Sequence, residues 1–458
     1  MPLSLSRAAI EFGGTLMFPD CQFQSLSTDT RSLANGDLFV ALRGEHFDAH
    51  NFLAQAAEKA CGLVVETPDR NLELPQWVVA DTTAALGQLA SLKRKDYQGV
   101  VVAVTGSAGK TTVKEMLASI FAQAVGESAV LATRGNLNNH IGVPLTLMGL
   151  EQRHQYAVIE MGASGGGEIG YLCQLGRPQV TLVNNVLPAH VEGFGSVDAI
   201  AHAKGEIYSG LPADGTAVLN LDQDYVALWR GLINERNCLT FSATEGNDSA
   251  GLFASNIEVD QLGRCSFQLH SPQGVASVSL GLSGRHNISN ALAAAAVAQA
   301  AGVSVEHIAA GLSALRRVAG RMELLELDNG DYLIDDSYNA NPGSVKAAVD
   351  ALLQLPGRPL LVLGDMGELG ADEVALHAEV GEYAAQAGVA QLYTVGTLSA
   401  NTSAAFGNGG RHFQNQQDLI AELQPQLGSG VAILVKGSRS SGMENITKAL
   451  VATSAGEK

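Results

Sequence analysis

Apolar and polar positions along this chain change their rhythm twice. In residues 1–97, the runs "GDLFVAL" (36–42), "CGLVVET" (61–67) and "QWVVAD" (76–81) are short, rich in β-branched residues and free of helical spacing. They predict buried strands. The stretches "NFLAQAAEKA" (51–60) and "TTAALGQLASLKRKDY" (82–97) predict the helices that accompany them. From residue 99 the plan becomes strand and helix in alternation, with "GVVVAVTG" (99–106), "YAVIEMG" (156–162), "QVTLVNNV" (179–186) and "GTAVLN" (215–220) bounded by glycine, proline or asparagine. Unbroken apolar runs of this length predict parallel strands covered on both faces.

Residues 252–282 instead alternate apolar and polar positions with turn signals, which predicts antiparallel strands appended to that sheet. The alanine-rich "ISNALAAAAVAQAAG" (288–302) predicts a helix that stops at Gly302. Beyond "RRVAGRMELL" (316–325), strands are expected at "YLIDDS" (332–337), "PLLVLGD" (359–365), "QLYTVG" (391–396) and "VAILVKG" (431–437). The expected fold is therefore α/β in three domains: a small α/β unit at 1–97, a central parallel-sheet unit at 98–315, and a doubly wound, Rossmann-like unit at 316–458.

Composition narrows the class. Hydrophobic residues make up 46% of the 458 positions and charged residues 16%, with no long single-sign tract, so the chain can build cores and is not of a disordered type. A formal net charge of -18 opposes broad attraction to nucleic acid or an anionic membrane surface, and leaves room for a local phosphate site. The five cysteines form no C-x-x-C pair, as expected in a reducing compartment. The N-terminus has no secretory pattern, and the most apolar stretch, 291–303, is too short to span a membrane. A cytoplasmic protein without membrane insertion is expected, with a monomer as the working assumption.

The candidate chemistry begins at "VTGSAGKTTVKEM" (104–116). A strand that turns through Gly106, Ser107, Ala108 and Gly109 into a helix leaves backbone N–H groups pointing one way, at the positive end of the helix dipole. Phosphate oxygens satisfy such groups; Lys110 adds a charge, and the Thr111 hydroxyl can join Mg²⁺ coordination. The usual pattern places a glycine where this chain has Val104, so the loop is a variant.

Glu160 closes the strand "YAVIEMG", at the carboxyl edge where open α/β sheets bind ligands, and a carboxylate there can hold Mg²⁺. A solvated strand-end glutamate has the same signature. His190 in "NNVLPAHVEGFGS" follows the next strand and could reach the same edge, or could cap and pack. Lys204 in "AIAHAKGEIYSG" has no signal of its own, since most helical lysines are solvated.

The Thr105-Gly106 and Gly109-Lys110-Thr111-Thr112 arrangement resembles the loop of the Mur ligases and of the folylpolyglutamate synthetases, ATP-dependent enzymes that form amide bonds. "VIEMGASGGGEI", "NNVLPAHVEGFGS", "AKGEIYSGLP", "GRHNISNALAA", "GRME", "DDSYNANPGS", "LGDMGELG" and "VKGSRS" then follow in the order found in the Mur ligases. The YNANP and GDMGELG forms resemble the branch that joins D-alanyl-D-alanine to UDP-N-acetylmuramoyl-tripeptide. The resemblance spans the whole chain.

It implies that Lys110, Thr111 and Thr112 hold the ATP phosphates, that Glu160 and His190 bind Mg²⁺, and that Lys204 carries a carbamate as a further metal ligand. It places Asn287 near the adenine, Arg321 on the nucleotide phosphates and Asp336 near the ribose. "STDTRSLANGDLFVALRGEHFDAHNF" (27–52) resembles the segment receiving the uridine diphosphate end, with Ser27, Thr28 and Arg31 as candidates. "RGNLNNHIGVP" (134–144) resembles the loop facing the sugar-peptide, with Asn138 and Asn139 as candidates, although asparagines bracing a loop look the same. Tyr338, Asn339 and Asn341 of the YNANP block complete the substrate set. Gly165-Gly166-Gly167 departs from the family and predicts a looser turn.

The implied reaction activates the peptide carboxylate by phosphorylation and lets the dipeptide amine displace phosphate. No base for that amine can be named from sequence: His377, Asp365 and Glu368 lie in the third unit, where the family seats the dipeptide, and His377 is expected to cap or pack. A hinge is expected near 315–322. Two rival classes fit less well. A folylpolyglutamate synthetase would lack the unit before the loop, and a P-loop GTPase would need an N-K-x-D motif that the sequence lacks. The D-N-P-R acceptor motif of a sister Mur ligase is also missing, and the third peptide residue, diaminopimelate or lysine, is left open.

Overall fold

Why the apolar runs become strands is plain from their surroundings in a computed structural model of the chain, which describes residues 2–44, 47–187, 194–315, 320–367 and 369–456. Val101 to Thr105 are all buried, because the strand Val100–Thr105 lies inside a nine-stranded sheet with helices over both faces. Tyr156–Glu160 and Val180–Val183 pair with it in parallel, one on each side. Thr216–Asn220, Asn237–Ser242 and Leu252–Val259 continue the parallel order. Arg264–Ser271 and Gly274–Ser283 then add on antiparallel, as their alternating pattern requires.

One face of this sheet is covered by the helices Lys110–Val125, His286–Ala300 and Val305–Ala314, which share a core with Val102, Val104 and Leu182. Ala291 to Ala298 are all buried, so the helix that carries them is apolar all round because it is enclosed, and its small side chains let backbones approach closely. It ends at Ala300 with Gly302 at a φ of 90°, a left-handed conformation that glycine adopts without a Cβ penalty.

A five-stranded sheet drawn from residues 15–78 packs over the other face through the helix Thr82–Lys95. The two sheets share one continuous core that includes Val64, Trp77, Leu86, Leu89, Val101 and Ile159. Buried Arg94 ties them further, donating from Nε to the Gly176 carbonyl (2.7 Å) and from Nη2 to the Arg177 carbonyl (2.9 Å). The helix expected over 51–60 is shorter: Asp48 accepts from the His50 amide and starts a 3-10 turn at Ala49–Phe52, leaving Leu53–Ala57 as α-helix.

Residues 323–436 form a separate six-stranded sheet with its own cores. Tyr332–Asp336, Val431–Lys436, Arg358–Gly364, Gln391–Val395 and Gly410–Phe413 run parallel, and Glu323–Glu326 adds an antiparallel edge. Asp336 ends its strand beside Lys436, which faces the central sheet's phosphate-loop side across the cavities described next.

Candidate active site

The strand Val100–Thr105 and the helix Lys110–Val125 are joined by four residues that the chain bends sharply. Gly109 has a φ of 74°, and a Cβ there would lie 2.5 Å from Asn290 Oδ1 and 2.7 Å from Asn184 Nδ2, so glycine is required for both conformation and space. Neighbouring asparagines fix the turn: Ala108 donates its amide to Asn185 Oδ1 (2.8 Å), and Asn184 Nδ2 donates back to the Ala108 carbonyl (3.0 Å). The Ser107 hydroxyl donates to the Leu187 carbonyl. The helix starts at Lys110, so its first-turn amides have no intrahelical acceptor and point at the concavity. Lys110 Nζ donates to the Gly106 carbonyl at 2.7 Å, folded back over the loop.

Glu160 is 2% exposed and held on two sides. The Thr111 hydroxyl donates to its Oε2 (2.9 Å), and Asn138 Nδ2 donates to its Oε1 (2.7 Å). The helix Val197–Ser209 brings Lys204 to the same cavity, where burial, reinforced by the charge of Lys110, pushes its ammonium down to about 7. The hydroxyl of Thr111 and carboxylate of Glu160 are hard oxygen donors side by side and fit a small dication such as Mg²⁺. Among the described residues no group of three or more His, Cys, Asp or Glu could hold a metal, so Thr111 and Glu160 by themselves do not make a complete shell. His190 and Glu368 lie outside the described residues.

Two cavities meet on this loop. One, of about 470 Å³, is lined by Thr112, Asn287, Arg321, Asp336 and Lys436 among others; the second, of about 580 Å³, by Lys110, Asn138, Glu160, Lys204 and Tyr338. Ser107, Ala108 and Gly109 border both. Arg321 crosses between the sheets, donating from Nη2 to the Thr111 hydroxyl (3.1 Å) with its guanidinium 3.9 Å from the centre of the Tyr338 ring. Asp336 accepts from the Met322 amide (3.1 Å) and from buried Lys436, which also donates to the Asn339 carbonyl (2.8 Å). Asn287 is buried and donates to the Ser283 carbonyl (2.7 Å).

A chain with this loop, this carboxylate and this bridging arginine has recognisable relatives. A family model described as Mur ligase middle domain matches residues 104–298, and one described as Mur ligase, glutamate ligase domain matches 320–439. The UDP-N-acetylmuramoyl-tripeptide–D-alanyl-D-alanine ligase of Escherichia coli (strain K12) is 45% identical over 450 residues, covering 98% of each chain. The chain belongs to the MurF branch of the Mur ligase family. A crystal structure of MurF from Acinetobacter baumannii superposes with a TM-score of 0.90 at 37% identity, covering 98% of this chain and 99% of that one. MurF from Thermotoga maritima in complex with ADP superposes at 0.81 with 27% identity, covering 95% and 98%.

Other positions singled out from sequence in this Mur ligase have mixed placements. Tyr338 and Asn339 border the second cavity, and Asn341 also caps the helix Pro342–Leu352, accepting from the Ser344 amide (2.9 Å). Asn139 braces its own loop, its Oδ1 accepting from the amides of Ile141 and Gly142. Ser27, Thr28 and Arg31 line neither cavity; Ser27 bonds the Asp29 carbonyl, and Arg31 pairs with Asp29, whose carboxyl it holds down at about 2.

His377 caps and packs, its Nε2 accepting from the Met366 amide and its Nδ1 donating to the Glu373 carbonyl. Asp365 is equally committed, accepting from the amides of Thr397, Leu398 and Ser399. The glycine run is not loose: Glu206 accepts from the amides of Gly167 (2.6 Å) and Gly170 (2.9 Å), tying that turn to the helix that carries Lys204. Sequence reasoning missed Asn185 and Lys436. Each lies inside a quoted motif, "NNVLPAHVEGFGS" and "VKGSRS", but its role depends on a partner distant in the chain.

Proposed function

We propose that this protein joins D-alanyl-D-alanine to UDP-N-acetylmuramoyl-tripeptide at the expense of ATP, releasing ADP and phosphate, in the cytoplasmic synthesis of peptidoglycan precursors. The observation that carries the reading is that two cavities share the phosphate loop, Ser107 to Gly109, as their common border. A nucleotide in the first would present its terminal phosphate at the mouth of the second, where a peptide carboxylate can meet it.

The division of labour follows the sheets. Residues 1–97 receive the UDP-sugar, 98–315 hold ATP, and 316–458 seat the dipeptide and close on the nucleotide through Arg321; of the hinge expected near 315–322, residues 316–319 lie outside the described residues. One chain supplies every residue invoked, so a monomer suffices. No helix among the described residues is long and apolar enough to cross a membrane.

A carboxylate is a poor electrophile because its leaving group would be oxide. In the proposed reaction the terminal carboxylate oxygen bonds to the γ-phosphorus while the bond to ADP breaks, giving an acyl phosphate. The amine of the dipeptide then attacks the acyl carbon, and phosphate departs with that carboxylate oxygen. Lys110 turns from the Gly106 carbonyl to the transferring group, and the first-turn amides and Thr112 hold the phosphates in line. Thr111 and Glu160, with His190, would hold magnesium, which when bound neutralises charge on the β and γ oxygens. Asn287 and Asp336 orient adenine and ribose, Asn138 and Asn139 the sugar-peptide.

Lys204 is proposed to carry a carbamate, formed when its neutral amine takes up CO₂ and releases a proton. Its ammonium is already destabilised by burial beside Lys110, which favours the amine needed for that step.

Phosphate release tests the reading. With ATP and UDP-N-acetylmuramoyl-tripeptide, release should depend on added D-alanyl-D-alanine; release with a folate and glutamate instead, or none with the full set, would overturn it.

A further inference from the structure

The strand Val130–Ala132 pairs in parallel with Tyr156–Val158 at the edge of the central sheet, and the Thr133 amide extends the ladder by donating to the Val158 carbonyl (3.0 Å). A regular parallel ladder would next send the Glu160 amide to the Thr133 carbonyl. It does not. The Glu160 amide goes to the Thr133 hydroxyl oxygen instead (2.9 Å), and the Thr133 carbonyl accepts from Lys114 Nζ (2.8 Å). One side-chain oxygen has replaced a main-chain acceptor, and one lysine has taken the acceptor that was displaced.

The exchange has a directional consequence. Freed from the ladder, the chain leaves the sheet at Thr133 and turns into the loop that carries Asn138, which returns to bond Glu160 Oε1 (2.7 Å). The Asn138 carbonyl also accepts from the Gly162 amide (2.8 Å), fastening the loop beyond Glu160. Lys114 lies on the same helix as Thr111, one turn along, so that helix reaches Glu160 twice: directly through the Thr111 hydroxyl and indirectly through Thr133. Lys114 and Thr133 are 2% and 1% exposed. A lysine buried this far needs its polar partners; Glu115 (2.5 Å) supplies the other.

We propose that Lys114 and Thr133 are positioning residues that fix the Glu160 carboxylate, and the Asn138 loop with it, for magnesium. Neither touches a substrate. The proposal rests on the assignment of Glu160 and Thr111 to the metal, and it adds that the corner's affinity is set by the break in the ladder behind it.

The test is calorimetric binding of ADP to the full chain across a magnesium titration, beside thermal melting, for Thr133→Val, Thr133→Ser and Lys114→Met. Displacing a group that orients a metal ligand typically weakens the metal by about 10- to 100-fold. Thr133→Val should raise the magnesium concentration for half-maximal ADP affinity by that factor, with metal-free ADP affinity within about twofold of the parent. Thr133→Ser, which keeps the oxygen, should restore the parent value, and Lys114→Met should shift it in the same direction by less. If Lys114→Met fails to fold, the valine–serine pair decides alone. Parent-like magnesium dependence in Thr133→Val, or equal loss of metal-free and metal-dependent affinity, overturns the positioning role. A parent protein whose ADP binding ignores magnesium overturns the metal corner itself, which is a separate and recognisable failure.

Discussion

Glu160 and Arg31 are both charged side chains just at or past a strand end, and the molecule treats them in opposite ways. Glu160 is 2% exposed and braced by a helix hydroxyl, a loop amide and its own bonded backbone before any ligand arrives. The Arg31 side chain is 88% exposed and, among the described residues, bonded only to Asp29, two residues away. The first corner is preorganised, and binding there needs little rearrangement. The second is tied to Asp29, and under the proposed function a diphosphate would first have to compete with that carboxylate. Charge development in phosphoryl transfer demands the first arrangement, while holding the far end of a large substrate tolerates the second.

This contrast can be broken by substitution. Lys110→Met should cause the largest loss, lowering kcat by roughly two to three orders of magnitude with the melting temperature unchanged, because the amine serves charge that appears in the transition state. Glu160→Gln keeps the volume and the Asn138 contact but removes the charge; kcat/KM at fixed magnesium should fall by about 10²-fold and recover in part as magnesium is raised. Arg31→Ala should raise KM for the UDP-linked peptide by only about fivefold and leave kcat alone, as expected for binding that is uniform along the reaction. An effect on kcat as large as that of Glu160→Gln would erase the distinction between the two regions.

The smallest effect concerns pH. Lys204 loses its proton near 7 where an ordinary lysine would hold it, so its amine is neutral above that pH and protonated below. Carbamate formation consumes the neutral amine. Added bicarbonate should therefore raise turnover about threefold near pH 6.5 and hardly at all near pH 8.5, and Lys204→Arg should abolish the response.

How much of this was legible beforehand depends on where each signal resides. Strands such as Val100–Thr105 and Val431–Lys436 are uninterrupted apolar runs, and local sequence suffices for them. Asn237–Ser242 was not singled out, since asparagine, threonine and serine interrupt it; it is a strand because Thr216–Asn220 and Leu252–Val259 flank it. Lys110 and Thr111 are readable from a motif whose chemistry is local. Glu160 needed the neighbouring strand order to carry weight, and Lys204 needed family likeness, because burial among distant residues gives its amine its character. Asn185 reaches Ala108 across 77 positions and Lys436 reaches Asp336 across 100, contacts that no periodicity encodes.

The central claim is that a peptide carboxylate is activated by direct transfer of the γ-phosphoryl group. The most direct measurement supplies UDP-N-acetylmuramoyl-tripeptide labelled with oxygen-18 in its terminal carboxylate, together with ATP and D-alanyl-D-alanine, and determines the mass of the phosphate released. One labelled oxygen in that phosphate per amide formed is the predicted result; unlabelled phosphate, with the amide still made, would contradict the account.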